Sequence, residues 1–203
     1  MPKSAPKHIV EMKNIISEST SEIDFSNDRG IWEAFKSGNE SAFIFIYESH
    51  FETLFDYGCK FTKDTGIVKD AIQDLFIELR NKRDSLGATN NIKFYLFKSL
   101  KRKIIRESGR WFRKWERLAG NYYFEFSFSP EQILIDRQLD QEKHASLNTA
   151  LKELTDRQKE IIYYFYFEGL SYEQIKEIMC FTSTKATRNL LYRAIDFLKD
   201  AVQ

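Results

Sequence analysis

An all-α fold of two small helical domains joined by a linker is predicted by three features of the sequence. Apolar residues recur at helical period through most of the chain between Ile31 and Leu198. Only three prolines and eight glycines occur in 203 residues, too few for the many turns of a β-sandwich. Helix-start signals also precede the apolar runs: Thr155 with Gln158, and Ser171 with Gln174, have capping-box spacing.

Composition narrows the function classes. Apolar residues at 42% and charged residues at 30% fit a helix-rich globular protein. The net charge of +1 gives no global attraction to nucleic acid, so any basic surface must be local. The longest uncharged apolar run, Ile161 to Phe167, is far shorter than the ~20 residues of a membrane span, and no membrane insertion is expected. The opening MPKSAPKHIVEMKN has no apolar core of a secretory signal. Cys59 and Cys180 are far apart and neither sits in a CxxC pair, which argues against a disulfide framework or zinc site. A cytoplasmic protein with no metal or cofactor is the expectation.

In chain order, residues 1–28 are polar and mixed in charge and are expected to form a flexible tail. Trp32 and Phe35 share a helical face before Ser37-Gly38 breaks the run. Asn39 can cap a long helix with Phe43, Ile46, Tyr47, Leu54 and Phe55 as core positions. A further helix starts near Asp64 and buries Val68, Ile72, Leu75, Phe76 and Leu79, while Asp70, Gln73, Asp74 and Glu78 face outward. Asp70 and Asp74, one turn apart, have the spacing of an acid/base or metal pair. No histidine or glycine-rich phosphate loop accompanies them, so a solvated face or a contact for a basic partner is the better reading.

After a loop over 83–90, Asn91 can cap a helix dense in positive charge. Lys98, Lys101, Arg102, Lys103, Arg106, Arg110, Arg113, Lys114 and Arg117 face only Glu107 and Glu116. Phe94, Tyr95 and Phe97 precede them, and Trp111, Phe112 and Trp115 interleave with them. Cations attract phosphates, and aromatic faces stack on unpaired bases at roughly 1–3 kcal/mol each. That describes a platform for single-stranded or melting nucleic acid; a basic helix on a membrane or an acidic protein is the alternative. Phe94, Phe97, Leu100 and Ile104 also have the spacing of a plain core face.

Residues 119–135 read as a linker, with domains over 29–118 and 136–203. Pro130 opens a helix that runs to about Leu154. Three further helices follow. Gly169 ends the first, and Thr182 is a candidate N-cap for the last, after a turn of three or four residues from Cys180 to Ser183. That is helix-turn-helix spacing. The last helix buries Ala186, Leu190, Leu191, Ala194 and Leu198, and turns out Lys185, Arg188, Asn189, Tyr192 and Arg193. Arg and Lys suit phosphates or guanine edges, Asn suits adenine, and Tyr suits a sugar or phosphate. A solvated face on an ordinary bundle is the plainer reading.

The order of these parts resembles the sigma-70 family of RNA polymerase sigma factors, in particular the extracytoplasmic-function (ECF) type. DAIQDLFIEL precedes the basic aromatic helix, a linker follows, and RNLLYRA lies in the last helix. The resemblance implies that 29–118 is similar to sigma region 2 and 136–203 to sigma region 4. It implies no enzyme activity, and as partners core RNA polymerase (β′ clamp and β subunits), promoter DNA and an anti-sigma factor. Asp70, Gln73, Asp74 and Phe76 match its polymerase-docking pattern. Phe94, Tyr95, Lys98, Lys101, Arg102 and Lys103 become candidates for capturing and melting the −10 element. Lys185, Arg188, Asn189, Tyr192 and Arg193 become candidates for reading the −35 element. Three positions depart from the pattern: Arg80 replaces a common Trp, Cys180-Phe181 replaces a Gly-apolar turn, and RNLLYRA lacks the common T-V-K-S-R run. A stand-alone helix-turn-helix regulator remains the other reading.

Overall fold

The computed structural model describes residues 27–115, 123–125 and 141–200. The expected tail and most of the expected linker lie outside them. Eight α-helices occur among the described residues: α1 Asp28–Lys36, α2 Glu40–Gly58, α3 Thr65–Asn81, α4 Ile92–Trp115, α5 Gln141–Glu153, α6 Asp156–Ile162, α7 Tyr172–Ile178 and α8 Thr184–Asp200. A 3₁₀ turn, Arg83–Ser85, follows α3, and a π-helical turn, Tyr163–Phe167, extends α6. No strand occurs among the described residues, as the helical periodicity predicts. Packing divides the chain into Met1–Asp56 with Lys69–Lys103, and Tyr57–Val68 with Ile104–Gln203.

Caps set the helix starts of the first unit. Asn27 Oδ1 accepts from Gly30 N at 2.7 Å, Asn39 Oδ1 from Ala42 N at 3.0 Å, and Asn91 Oδ1 from Phe94 N at 2.8 Å. Trp32, Phe35, Ile46, Leu54, Ile72, Leu96, Phe97 and Leu100 form the core. Two bonds tie α1 to the loop before α4 and to the first residue of α4: Trp32 Nε1 donates to Gly87 O at 2.8 Å, and Ile92 N donates to Asp28 Oδ2 at 2.7 Å. The start of the basic helix is thereby fixed by α1 as well as by its own cap. Tyr47, expected in the core, is 40% exposed, because α2 carries aromatic residues on more than one face.

In the second unit, both capping boxes form as their spacing predicts, with Thr155 opening α6 and Ser171 opening α7. Gly169, at φ +63°, takes the left-handed conformation that ends the π-helical turn. The cap of α8 is Ser183 rather than Thr182: Ser183 Oγ accepts from Ala186 N at 3.2 Å. Leu191 and Ala194 of α8 are buried as expected, joined by Thr187, whose hydroxyl donates to Ser183 O at 3.3 Å. The residues 57–61, 123–125 and 160–164 also pack together. Phe124 is buried against Phe61 and Tyr163, and Glu125 N donates to Lys60 O at 2.8 Å.

Candidate nucleic-acid interface and docking face

In the first unit, α3 turns Asp70, Gln73 and Asp74 to solvent together. Phe76, placed with them by motif, is 4% exposed. Its ring meets those of Phe43 and Tyr47 edge-on at 6.1 and 4.9 Å, so it fixes the helix to α2 while the polar residues stay outside. Glu78 leaves the acidic face, since its Oε1 lies 2.6 Å from Lys103 Nζ. Arg80, the departure from a common Trp, lays its guanidinium 5.7 Å from the Phe43 ring centre and donates to Glu40 Oε2 at 3.0 Å. A cation thus covers the aromatic face. Phe43, Tyr47, Phe51, Lys69, Gln73, Phe76, Ile77 and Arg80 line an open groove of about 510 Å³ beside the acidic face. Sequence reading assigned Phe43 and Tyr47 only to the core; the signal was an α2 too aromatic to bury on one side.

The basic helix α4 sorts its candidates. Phe94, Tyr95 and Lys98 are half-buried and Arg102 is exposed, and the helical period places these four along one side. Tyr95 packs on Trp32 with ring centres 4.9 Å apart, so α1 holds it in place. Lys101 and Lys103 do not join this surface, being 7% and 6% exposed. Lys103 is about half a turn around the helix from Phe94, which directs it toward Glu78 on α3. As a nucleic-acid contact it is displaced by that ion pair. The same unit holds His50, whose pKa is lowered by burial, with Asp28 acting to raise it and Lys93 to lower it further.

In the second unit, α7 and α8 form the expected helix-turn-helix. Its turn contains Cys180 at φ +55°, a conformation glycine takes without strain. Arg157, which sequence reading passed over, braces it: its Nη2 donates to Met179 O at 3.2 Å and its guanidinium lies 4.9 Å from the Phe181 ring centre. Lys185, Arg188, Asn189, Tyr192 and Arg193 are all exposed on α8. The structure brings these five together as the sequence predicts. Arg188 stacks over the Tyr172 ring at 5.0 Å. Burial, followed by the neighbouring Tyr192, raises the pKa of Tyr172. Three cations, an amide and a phenol on one accessible helix face can donate to phosphates and to base edges in a major groove. Among the described residues there is no group of three or more histidine, cysteine or acidic side chains placed to hold a metal.

Comparison with known proteins gives this geometry its class. Residues 150–200 match the model of sigma-70 region 4. The ECF RNA polymerase sigma factor SigX of Bacillus subtilis (strain 168) is 22% identical over 152 residues, covering 72% of this chain and 76% of that protein. The fold is similar to that of the sigma factor RpoE from Bartonella quintana, solved with the anti-sigma factor NepR. That match has a TM-score of 0.53 at 21% identity over 77% of this chain and 93% of the other. CnrH, solved with the cytosolic domain of CnrY, matches with a TM-score of 0.53 at 20% identity over 85% and 95%.

Among the described residues a helix-turn-helix of region 4 type follows a set of further helices, an arrangement similar to that of sigma factors. Residues 150–200 thus match sigma-70 region 4, and the chain as a whole is similar to sigma factors of the ECF type.

Proposed function

We propose that this protein binds core RNA polymerase, through the β′ clamp and β subunits, and directs it to promoters that it helps to open. The reading divides the chain into a region 2-like domain over 29–118, a linker over 119–135 and a region 4-like domain over 136–203. Asp70, Gln73 and Asp74 meet the polymerase, with Phe76 holding their helix in place. Lys185, Arg188, Asn189, Tyr192 and Arg193 read the −35 element from the major groove. Phe94, Tyr95, Lys98 and Arg102 hold the displaced strand of the −10 element, where stacking offsets part of the melting cost.

The observation that carries this reading is the accessible polar face of α8 on a helix-turn-helix that matches region 4. A nearly neutral protein needs little basic surface for the task, since tethering to polymerase raises the effective concentration of each DNA-reading element. The protein acts in the cytoplasm, where core polymerase works; no helix among the described residues is long and apolar enough to cross a membrane. RpoE and CnrH were each solved with a binding partner, the anti-sigma factor NepR and the cytosolic domain of CnrY. An anti-sigma factor is accordingly proposed as a further partner here.

Run-off transcription with core polymerase on genomic fragments tests the whole reading. Defined transcripts that require this protein are expected. Identical transcript patterns with and without it would overturn the proposal.

A further inference from the structure

Arg188 is a long side chain on an open helix face, and a flexible guanidinium makes a poor reader. A bidentate contact with guanine needs the guanidinium plane held in one orientation, and a free Arg side chain loses rotamer entropy on reaching it. The structure supplies a support from another helix. The Tyr172 ring, at the first position of α7, lies under the Arg188 guanidinium at 5.0 Å. Tyr172 is itself held by a ring on the preceding π-helical turn. The Phe165 ring packs against it with centres 5.2 Å apart. The Ser171–Gln174 capping box fixes the backbone where Tyr172 begins its helix.

We propose that Tyr172 is a positioning residue that sets the base preference read by Arg188, through the face of its ring. This rests on the proposed reading of the −35 element by α8. Stacking restricts the guanidinium before DNA arrives, so less freedom is lost on binding, while the outer edge of the group keeps its donors for a base. Tyr172 then governs discrimination at one base pair without donating to that base. Because phosphate contacts by Lys185 and Arg193 do not depend on this support, sequence-independent attraction is unaffected.

The test uses the full-length chain assembled with core RNA polymerase, selecting from a duplex pool with a randomised segment. Single-base-pair variants of the selected sequence are then compared in competition binding. Arg188→Ala is expected to reduce preference at one base pair by roughly tenfold. Tyr172→Leu is expected to reduce preference at that same base pair by roughly two- to fivefold. It leaves the salt dependence of binding unchanged, and it has no further effect in an Arg188→Ala background. Tyr172→Phe, which keeps the ring and removes the hydroxyl, retains most of the preference. Thermal melting of each variant identifies loss of fold, and Tyr172→Phe carries the comparison if Tyr172→Leu does not fold: its loss of preference would then place the effect in the hydroxyl and overturn the ring assignment. Preference lost with Arg188→Ala but kept with Tyr172→Leu overturns the positioning role alone. No effect of Arg188→Ala on preference, or no sequence selected by the native chain, overturns the reading by α8 as well.

Discussion

Lys103 Nζ lies 2.6 Å from Glu78 Oε1, and Lys103 is only 6% exposed. One cation of the basic helix is therefore spent inside the protein, joining α4 to α3. A buried ammonium depends on its partner more than the partner depends on it, since Glu78 remains half exposed. Glu78→Ala is expected to destabilise the fold by about 1–3 kcal/mol, because it removes the carboxylate that holds a buried charge. Lys103→Met should cost less, as it removes the charge itself. In promoter-opening assays on equal amounts of folded protein, Lys103→Met should behave as the native chain does, whereas Arg102→Ala should open promoters less well. A selective opening defect in Lys103→Met would return Lys103 to the DNA-contacting set.

Cys180 adopts φ +55° in the helix-turn-helix turn, and its side chain is exposed. Left-handed backbone costs a residue with a Cβ about 1–2 kcal/mol, and glycine avoids this. The thiol gives little in return, with Sγ 3.9 Å from Glu177 O. Glycine also adds freedom to the unfolded chain, which takes back part of the gain. Cys180→Gly is expected to stabilise the protein by about 0.5–1 kcal/mol, and Cys180→Ala not at all. Chemical denaturation of the pair measures the difference; equal midpoints would show that the turn is unstrained.

Tyr57 and Tyr164 bring their hydroxyl oxygens within 2.5 Å, and Tyr164 donates to Glu160 Oε1 at 2.7 Å. Tyr164 has only one proton to give, so Tyr57 must be the donor in the first bond. Glu160 is 0% exposed. Burial, then the neighbouring Tyr57 and Glu160, push the Tyr164 phenol well above its ordinary value of 10.0. The folded protein keeps that proton at pH values where the unfolded chain has released it. The resulting stability is complete below about pH 10 and is lost as pH rises toward the folded value. Tyr164→Phe removes the hydroxyl and leaves two buried groups short of a partner, at a cost of about 1–3 kcal/mol near neutral pH. Above pH 10 the variant should lose stability less steeply than the native chain. Parallel alkaline slopes would show that Tyr164 does not titrate between the two states.

The limits of sequence legibility follow from the range of each interaction. Both capping boxes and the asparagine caps were readable because donor and acceptor lie three residues apart. The five exposed residues of α8 were readable because one helix period decides them. Ser183 and Thr182 were not separable by type, since both carry a hydroxyl and only the backbone path through Cys180 selects the cap. Lys103 was assigned by charge density, although its angle on the helix already opposed Phe94. The support of Arg188 by Tyr172 joins residues 16 positions apart across the turn, and no local pattern encodes it. The groove beside α3 was hidden for a related reason: α2 is apolar on several faces, and packing alone decides which face remains open.

Asp74 lies with Asp70 and Gln73 on the exposed side of α3, while its neighbours Leu75 and Phe76 are buried. Reversing its charge therefore changes the surface and leaves the core packing alone. Asp74→Arg should melt at the native temperature. It should also fail to co-purify with core polymerase, because a basic partner surface would now meet a like charge. Phe76→Ala serves as the contrasting variant. It empties a core position between Phe43 and Tyr47 and should lower stability by about 3–5 kcal/mol, with polymerase binding lost only as the fold is lost. Unchanged co-purification of folded Asp74→Arg would remove the acidic face from the docking surface and turn attention to the adjoining aromatic groove.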